Sequence, residues 1–164
     1  MSSGPVVLVG AGNMGGAMLR GWLSSGIGAQ SIVVIDPAPP PAMQAFLKEQ
    51  NVAHHLAPPD GITASALIVA VKPQMMSTVL PAFAKLVGKD TVCVSIAAGT
   101  SIAELTRHLG DMPIVRAMPN TPAMIGRGIT AALPNAHVTG EQHELTNRLL
   151  SVCGPVEWVD TEDA

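Results

Sequence analysis

The feature that most constrains this chain is a series of short, mostly apolar runs: Val6–Val9, Ile32–Ile35, Leu67–Val71, Val92–Ile96 and Ile114–Met118. Strands buried on both faces read as near-continuous aliphatic segments, whereas strands with one wet face alternate. Between the runs lie stretches with helical spacing. Met14, Ala17, Met18 and Gly21 share one face of the first, Met43, Phe46 and Leu47 one face of the second, and Met76, Val79, Leu80 and Phe83 one face of the third. Strands alternating with amphipathic helices predict an α/β domain, a doubly wound and mostly parallel sheet covered on each side.

Helix starts carry their own signals. Ser101-Ile102-Ala103-Glu104 and Thr139-Gly140-Glu141-Gln142 have capping-box spacing, in which side chain and backbone at the first turn satisfy each other. After the second, Leu145, Leu149 and Val152 form an apolar stripe. The Pro37–Pro41 stretch reads as a rigid loop into the second helix. Val156-Glu157-Trp158-Val159 reads as a last strand, so residues 1–160 are expected to form one domain. Asp160-Thr161-Glu162-Asp163-Ala164 reads as the capped start of a helix leading to a further, helical domain.

Composition narrows the function classes. Charged residues make up only 13% and the formal net charge is −3, which gives no electrostatic footprint for nucleic acid or an anionic membrane. Two cysteines, Cys93 and Cys153, are too few for a disulfide framework or a zinc cage and read as buried thiols. The apolar run Pro5–Val9 is too short for a signal segment or a spanning helix, so a soluble, cytoplasmic chain is expected. His54-His55 is a poor metal pair, because adjacent side chains point apart on a strand or a helix. No metal site, hydrolase elbow or Walker lysine motif is expected.

The first run leads into Gly10-Ala11-Gly12-Asn13-Met14-Gly15, which matches the dinucleotide fingerprint G-x-G-x-x-G in its required context, after a strand and opening a helix. Gly10 permits a tight turn, Gly12 lets backbone approach a pyrophosphate, and Gly15 lets the helix pack close to the strand. The first helical N–H groups and the helix dipole then face a dianionic ligand. Asp36 closes the next strand, 21 residues after Gly15, about where an acid grips a ribose diol. The alternative is that Asp36 merely caps the Pro-rich loop. Together these elements predict a Rossmann-like dinucleotide-binding domain. Asp36 repels a 2′-phosphate and Asp36-Pro37-Ala38-Pro39 offers no arginine, which leans toward NADH over NADPH, although a basic residue from elsewhere could reach that phosphate.

Three further segments fall at the carboxyl ends of predicted strands, where open α/β sheets hold ligands. They are Val71-Lys72-Pro73-Gln74, Ser95-Ile96-Ala97-Ala98-Gly99-Thr100 and Arg116-Ala117-Met118-Pro119-Asn120-Thr121-Pro122-Ala123. With the glycine loop, this ordered set closely resembles pyrroline-5-carboxylate reductase, from about Val6 to the end of the chain. The resemblance implies reduction of the cyclic imine 1-pyrroline-5-carboxylate to L-proline by hydride from NADH or NADPH. It also implies that Gly10–Gly15 hold the pyrophosphate and that Ala70, Val71, Lys72 and Pro73 line the nicotinamide-side ribose beside Ala97, Ala98 and Gly99. Asn120 and Thr121 would sit near the nicotinamide and the substrate.

Imine reduction needs a protonated C=N bond, and a lysine ammonium would repel that cation. Lys72 is therefore assigned to the cofactor rather than to acid catalysis, its plainer reading being a solvated lysine. Asn120, with a donor and an acceptor, suits a carboxamide or a bound water, or serves only as a turn residue. Arg116 reads as structural, or as a partner for an acid. Many members of the resembled family carry polar or basic residues where this chain has Asp36-Pro37-Ala38-Pro39-Pro40. The family also continues into a helical domain that forms homodimers or larger rings and supplies most of the substrate site, so these 164 residues are expected to bind cofactor and turn over poorly alone. Two other classes remain: a related dehydrogenase of the β-hydroxyacid or deazaflavin-linked type, and a non-catalytic nucleotide-sensing module.

Overall fold

In the computed structural model, which describes residues 4–97, 99–119 and 128–160, each of the five apolar runs becomes a strand. They are β1 (Val6–Val9), β2 (Ile32–Ile35), β4 (Ala66–Val69), β5 (Val92–Ser95) and β6 (Ile114–Pro119), joined by β3 (Ala53–His55), β7 (Thr130–Pro134) and β8 (Val156–Trp158). One sheet runs in the order β3-β2-β1-β4-β5-β6-β7-β8. Pairings from β3 to β6 are parallel, β7 is antiparallel to β6, and β8 is parallel to β7. The doubly wound, mostly parallel sheet is thus present, with an antiparallel step near one edge.

Alternation along the buried strands feeds two apolar layers. Val6 and Leu8 of β1 pack with helices α1 (Asn13–Ser24), α2 (Pro41–Glu49) and α5 (Gly140–Leu150), while Val7 and Val9 pack with α3 (Met76–Phe83) and α4 (Ile102–Leu109). Met43 and Leu47 of α2, and Met76, Leu80 and Phe83 of α3, are buried as their spacing predicts. In α1 the core stripe is rotated from the predicted one: Gly15, Met18, Leu19 and Trp22 are buried, and Gly21 instead abuts Val152. The predicted stripe Leu145, Leu149 and Val152 does pack into the core, joined by Gln142, Thr146 and Leu150 of α5.

Both predicted helix starts are real. Ser101 accepts from the Glu104 N–H, and Thr139 with Gln142 makes the full reciprocal box. Two strands have no counterpart among the apolar runs. β3 is a half-exposed edge strand containing two histidines, and β7 is rich in alanine, so neither carries the aliphatic signature. β4 ends at Val69 and β5 at Ser95, short of the predicted Val71 and Ile96, because the chain turns out of the sheet there. Residues 161–164, where a helix start is expected, lie outside the described residues.

Candidate dinucleotide-binding site

The strand order reverses between β1 and β4, and the chain leaves both strands at their carboxyl ends. β1 proceeds to β2 on one side and β4 to β5 on the other, so the two loops diverge and leave a crevice. The glycine loop lines it. Gly10 has φ +92°, and a Cβ there would stand 2.9 Å from the Ala70 carbonyl oxygen. Gly15 is excluded from bearing a side chain by packing, since its Cβ would lie 2.1 Å from the Gly10 oxygen. Gly12 differs: its φ is −78° and a Cβ would meet nothing within 4 Å. No contact with the described residues demands glycine at that position, and the open space suits close approach of a ligand. Gly12 is also the N-cap of α1, and no side chain caps that helix or places an acid in its first turn. Such an N-terminus suits a pyrophosphate.

Asp36 stands at the end of β2, half-buried. Its Oδ2 accepts the Ala11 N–H at 2.8 Å and its Oδ1 the Ala38 N–H at 2.9 Å. The bond to Ala38 is the loop-capping role expected of Asp36, while the bond to Ala11 ties the carboxylate to the glycine loop. A carboxylate offers about four lone-pair directions, so two remain for a diol.

A cleft of about 400 Å³ extends from this point. Gly10, Gly12, Asp36, Ala70, Val71 and Lys72 all border it. Its far wall was not foreseen: Leu56, Pro58, Met75, Val79 and Phe83 give it an apolar lining. Leu56 is 66% and Met75 46% exposed, so both present apolar surface at the mouth of the cleft. Leu56 follows β3, the strand without an aliphatic signature, so no local signal marks it. Met75 sits in the short 3₁₀ turn Pro73–Met75 that leads into α3.

The remaining predicted positions separate. Ala11 and Asn13 border an adjoining groove between α1 and α2. Met14 is half-buried within α1, and Pro73 begins the 3₁₀ turn on the exposed side. Ala97 is 5% exposed and belongs to the layer with α3 and α4, so only its backbone can face a ligand. Gly99 turns with φ +76°. Ala98, Asn120 and Thr121 lie outside the described residues.

Burial pushes the Cys93 thiol up to about 12 and raises that of Cys153, so both are neutral thiols at pH 7. Among the described residues no group of three or more His, Cys, Asp or Glu could hold a metal, and no helix is long and apolar enough to cross a membrane. His54 Nε2 lies 2.9 Å from the Asp36 carbonyl, and His143 stacks on Trp158 with ring centroids 3.7 Å apart.

The glycine loop, the acid closing β2 and the crevice at the strand-order reversal define a dinucleotide-binding domain of the Rossmann type. More particularly, the chain belongs to the family described as NADP oxidoreductase, coenzyme F420-dependent, whose model matches residues 5–99. Over a longer stretch it is similar to pyrroline-5-carboxylate reductases, as its motifs predict. The enzyme of Pseudomonas aeruginosa is 34% identical over 168 residues, covering 99% of this chain and 60% of that protein. The enzyme of Escherichia coli is 42% identical over 138 residues, covering 81% of this chain and 50% of that protein. The structure of a pyrroline-5-carboxylate reductase from Coxiella burnetii superposes with a TM-score of 0.88 at 26% identity, covering 99% of this chain and 61% of that one. The chain therefore spans between half and three-fifths of the length of these relatives.

Proposed function

We propose that this chain is the cofactor-binding portion of a pyrroline-5-carboxylate reductase, which reduces the cyclic imine 1-pyrroline-5-carboxylate to L-proline at the expense of NADH or NADPH. One observation carries the reading. The family model covers β1 to β5, a half shared by many nicotinamide enzymes, whereas similarity to the P. aeruginosa reductase continues along 99% of the chain, through β6 to β8. That second stretch includes Met118-Pro119 at the end of β6.

The residues present suit a nicotinamide dinucleotide, which supplies the hydride when bound. The N–H groups at the start of α1 hold the pyrophosphate, with Gly12 giving it room. Asp36 receives the adenosine ribose diol, and Leu56 and Met75 flank the adenine. Lys72 borders the cleft as its one cation among the described lining residues, and serves the cofactor rather than the iminium, which it would repel. Asn120 and Thr121 belong beside the nicotinamide and the imine in this reading. The half-buried Asp36 carboxylate favours NADH by repelling a 2′-phosphate.

Parallel titration of the chain with NADH and NADPH tests the reading. NADH binds more tightly, and Asp36→Ser narrows or reverses the ratio. Binding of neither cofactor would sink the proposal. The family's description favours one second reading, a coenzyme F420-linked reductase. In the longest natural protein carrying this chain, NADPH oxidation coupled to that deazaflavin but not to proline formation would select it.

A further inference from the structure

The Asp36 carboxylate is engaged in a way that ribose recognition does not require. Its two oxygens accept N–H groups from two different loops, Ala11 of the glycine loop at 2.8 Å and Ala38 of the Pro-rich loop at 2.9 Å. The residue that makes this bridge is itself held: its N–H donates to the His55 carbonyl at 3.0 Å, and its carbonyl accepts from His54 Nε2 at 2.9 Å. Next to it, the Gly10 N–H donates to the Ile35 carbonyl at 3.0 Å. Consecutive N–H groups of the glycine loop are thus tied to Ile35, the last residue of β2, and to Asp36 just after it, and α1 has no side-chain cap of its own.

We propose that Asp36 is a positioning residue for the anion cradle. By taking up the Ala11 N–H it removes that donor from the ligand's reach and fixes the turn, so that the first N–H groups of α1 face the pyrophosphate. The placement runs against simple electrostatics, because a carboxylate beside an anion site repels the anion. What offsets that repulsion is preorganisation, since a loop already held in its binding shape loses less freedom when the ligand arrives. The ligand arm of this inference rests on the dinucleotide reading above. The loop geometry does not.

The opposed signs make a clean test. Asp36→Ala removes the charge together with both acceptor oxygens, so neither the Ala11 nor the Ala38 N–H keeps its partner. Inorganic pyrophosphate, measured by displacement of NADH, carries no ribose. Were Asp36 only a ribose ligand, the variant would bind pyrophosphate equally well or more tightly. As a positioning residue its loss weakens pyrophosphate about three- to tenfold, the scale of one hydrogen bond. Amide hydrogen exchange on the unsubstituted chain supplies a readout free of ligand and of any folding defect in the variant. The Ala11 amide is protected like that of Gly10, and in Asp36→Ala it exchanges faster while β1 does not. Unchanged or tighter pyrophosphate binding, or an unprotected Ala11 in the unsubstituted chain, overturns the proposal. Failure of the unsubstituted chain to bind NADH at all would sink the dinucleotide reading, and the exchange measurement would then decide the loop's role by itself.

Discussion

Strands β1 to β5 and strands β6 to β8 are held together on different plans. In the first group β1, β2, β4 and β5 are buried end to end, the β3 edge is partly exposed, all pairings are parallel, and apolar side chains dominate both faces of the buried strands. In the second, β7 reverses direction and the joints are polar. Asn135 donates through Nδ2 to the Met112 carbonyl at 2.8 Å and accepts at Oδ1 from the N–H groups of Ile114 and His137. Gln142, 7% exposed, donates to the Asp90 carbonyl, and Trp158 Nε1 donates to Asn147 Oδ1 at 3.0 Å. The fully buried indole of Trp22 joins the two groups, donating from α1 to the Leu149 carbonyl of α5 at 2.9 Å. The first region follows from hydrophobic patterning. The second depends on a few directional bonds that place an otherwise weak strand.

The two regions meet at Trp22. Trp22→Ala removes a large buried ring and leaves the Leu149 carbonyl with one partner fewer, and is expected to cost about 3–5 kcal/mol. Urea unfolding should remain a single transition, shifted for the whole chain. Two separated transitions would mean that β6 to β8 fold as an independent addition.

Within the first region, Gly12→Val and Gly15→Ala distinguish ligand space from packing space. Valine fits at Gly12 with φ −78° and nothing within 4 Å, so thermal stability should hold while NADH affinity falls about a hundredfold, the loss of two charge-assisted hydrogen bonds. Alanine at Gly15 meets the Gly10 carbonyl and should cost about 1–3 kcal/mol of stability. A Gly12→Val chain that binds NADH normally would remove the ligand explanation for that glycine.

In the second region, Asn135→Ala leaves the Ile114 and His137 N–H groups without their shared acceptor. A loss of about 1–3 kcal/mol is expected, with NADH affinity unaltered. A change in affinity would show that the antiparallel edge reaches the crevice. The smallest effect concerns the thiols. Cys93 and Cys153 should resist iodoacetamide at pH 8 until the chain is unfolded. Burial raises the folded Cys93 thiol from 9.0 to about 12, so the folded state binds the extra proton between those values, and its contribution to stability declines as pH rises from about 9 toward 12.

How much of this was readable in the residues varies with the element. The five apolar runs located their strands to within two residues, because strands buried on both faces leave no room for a polar alternation. β3 and β7 escaped, since two histidines at a half-exposed edge and a Thr-Ala-Ala-Leu-Pro strand carry little of that signal. The reversal at β7 has a geometric cause in the connection 120–129, which is shorter than the dozen or so residues a parallel crossover needs. At the site, Gly10, Gly12, Asp36, Ala70, Val71 and Lys72 border one cleft, while Ala97 is 5% exposed and packs in the layer with α3 and α4.

The sequence by itself determined the doubly wound core, the glycine loop and the identity of the acid at the end of β2, because each is encoded by residues close together in the chain whose conformational limits are local. Only the tertiary structure decided that Asp36 clamps Ala11, 25 residues away, that Leu56 and Met75 border one cleft, and that Trp22 bonds to Leu149, 127 residues away. These roles arise from which loop or helix comes to lie opposite a side chain, and that is set by the packing of the whole sheet rather than by any neighbour in sequence.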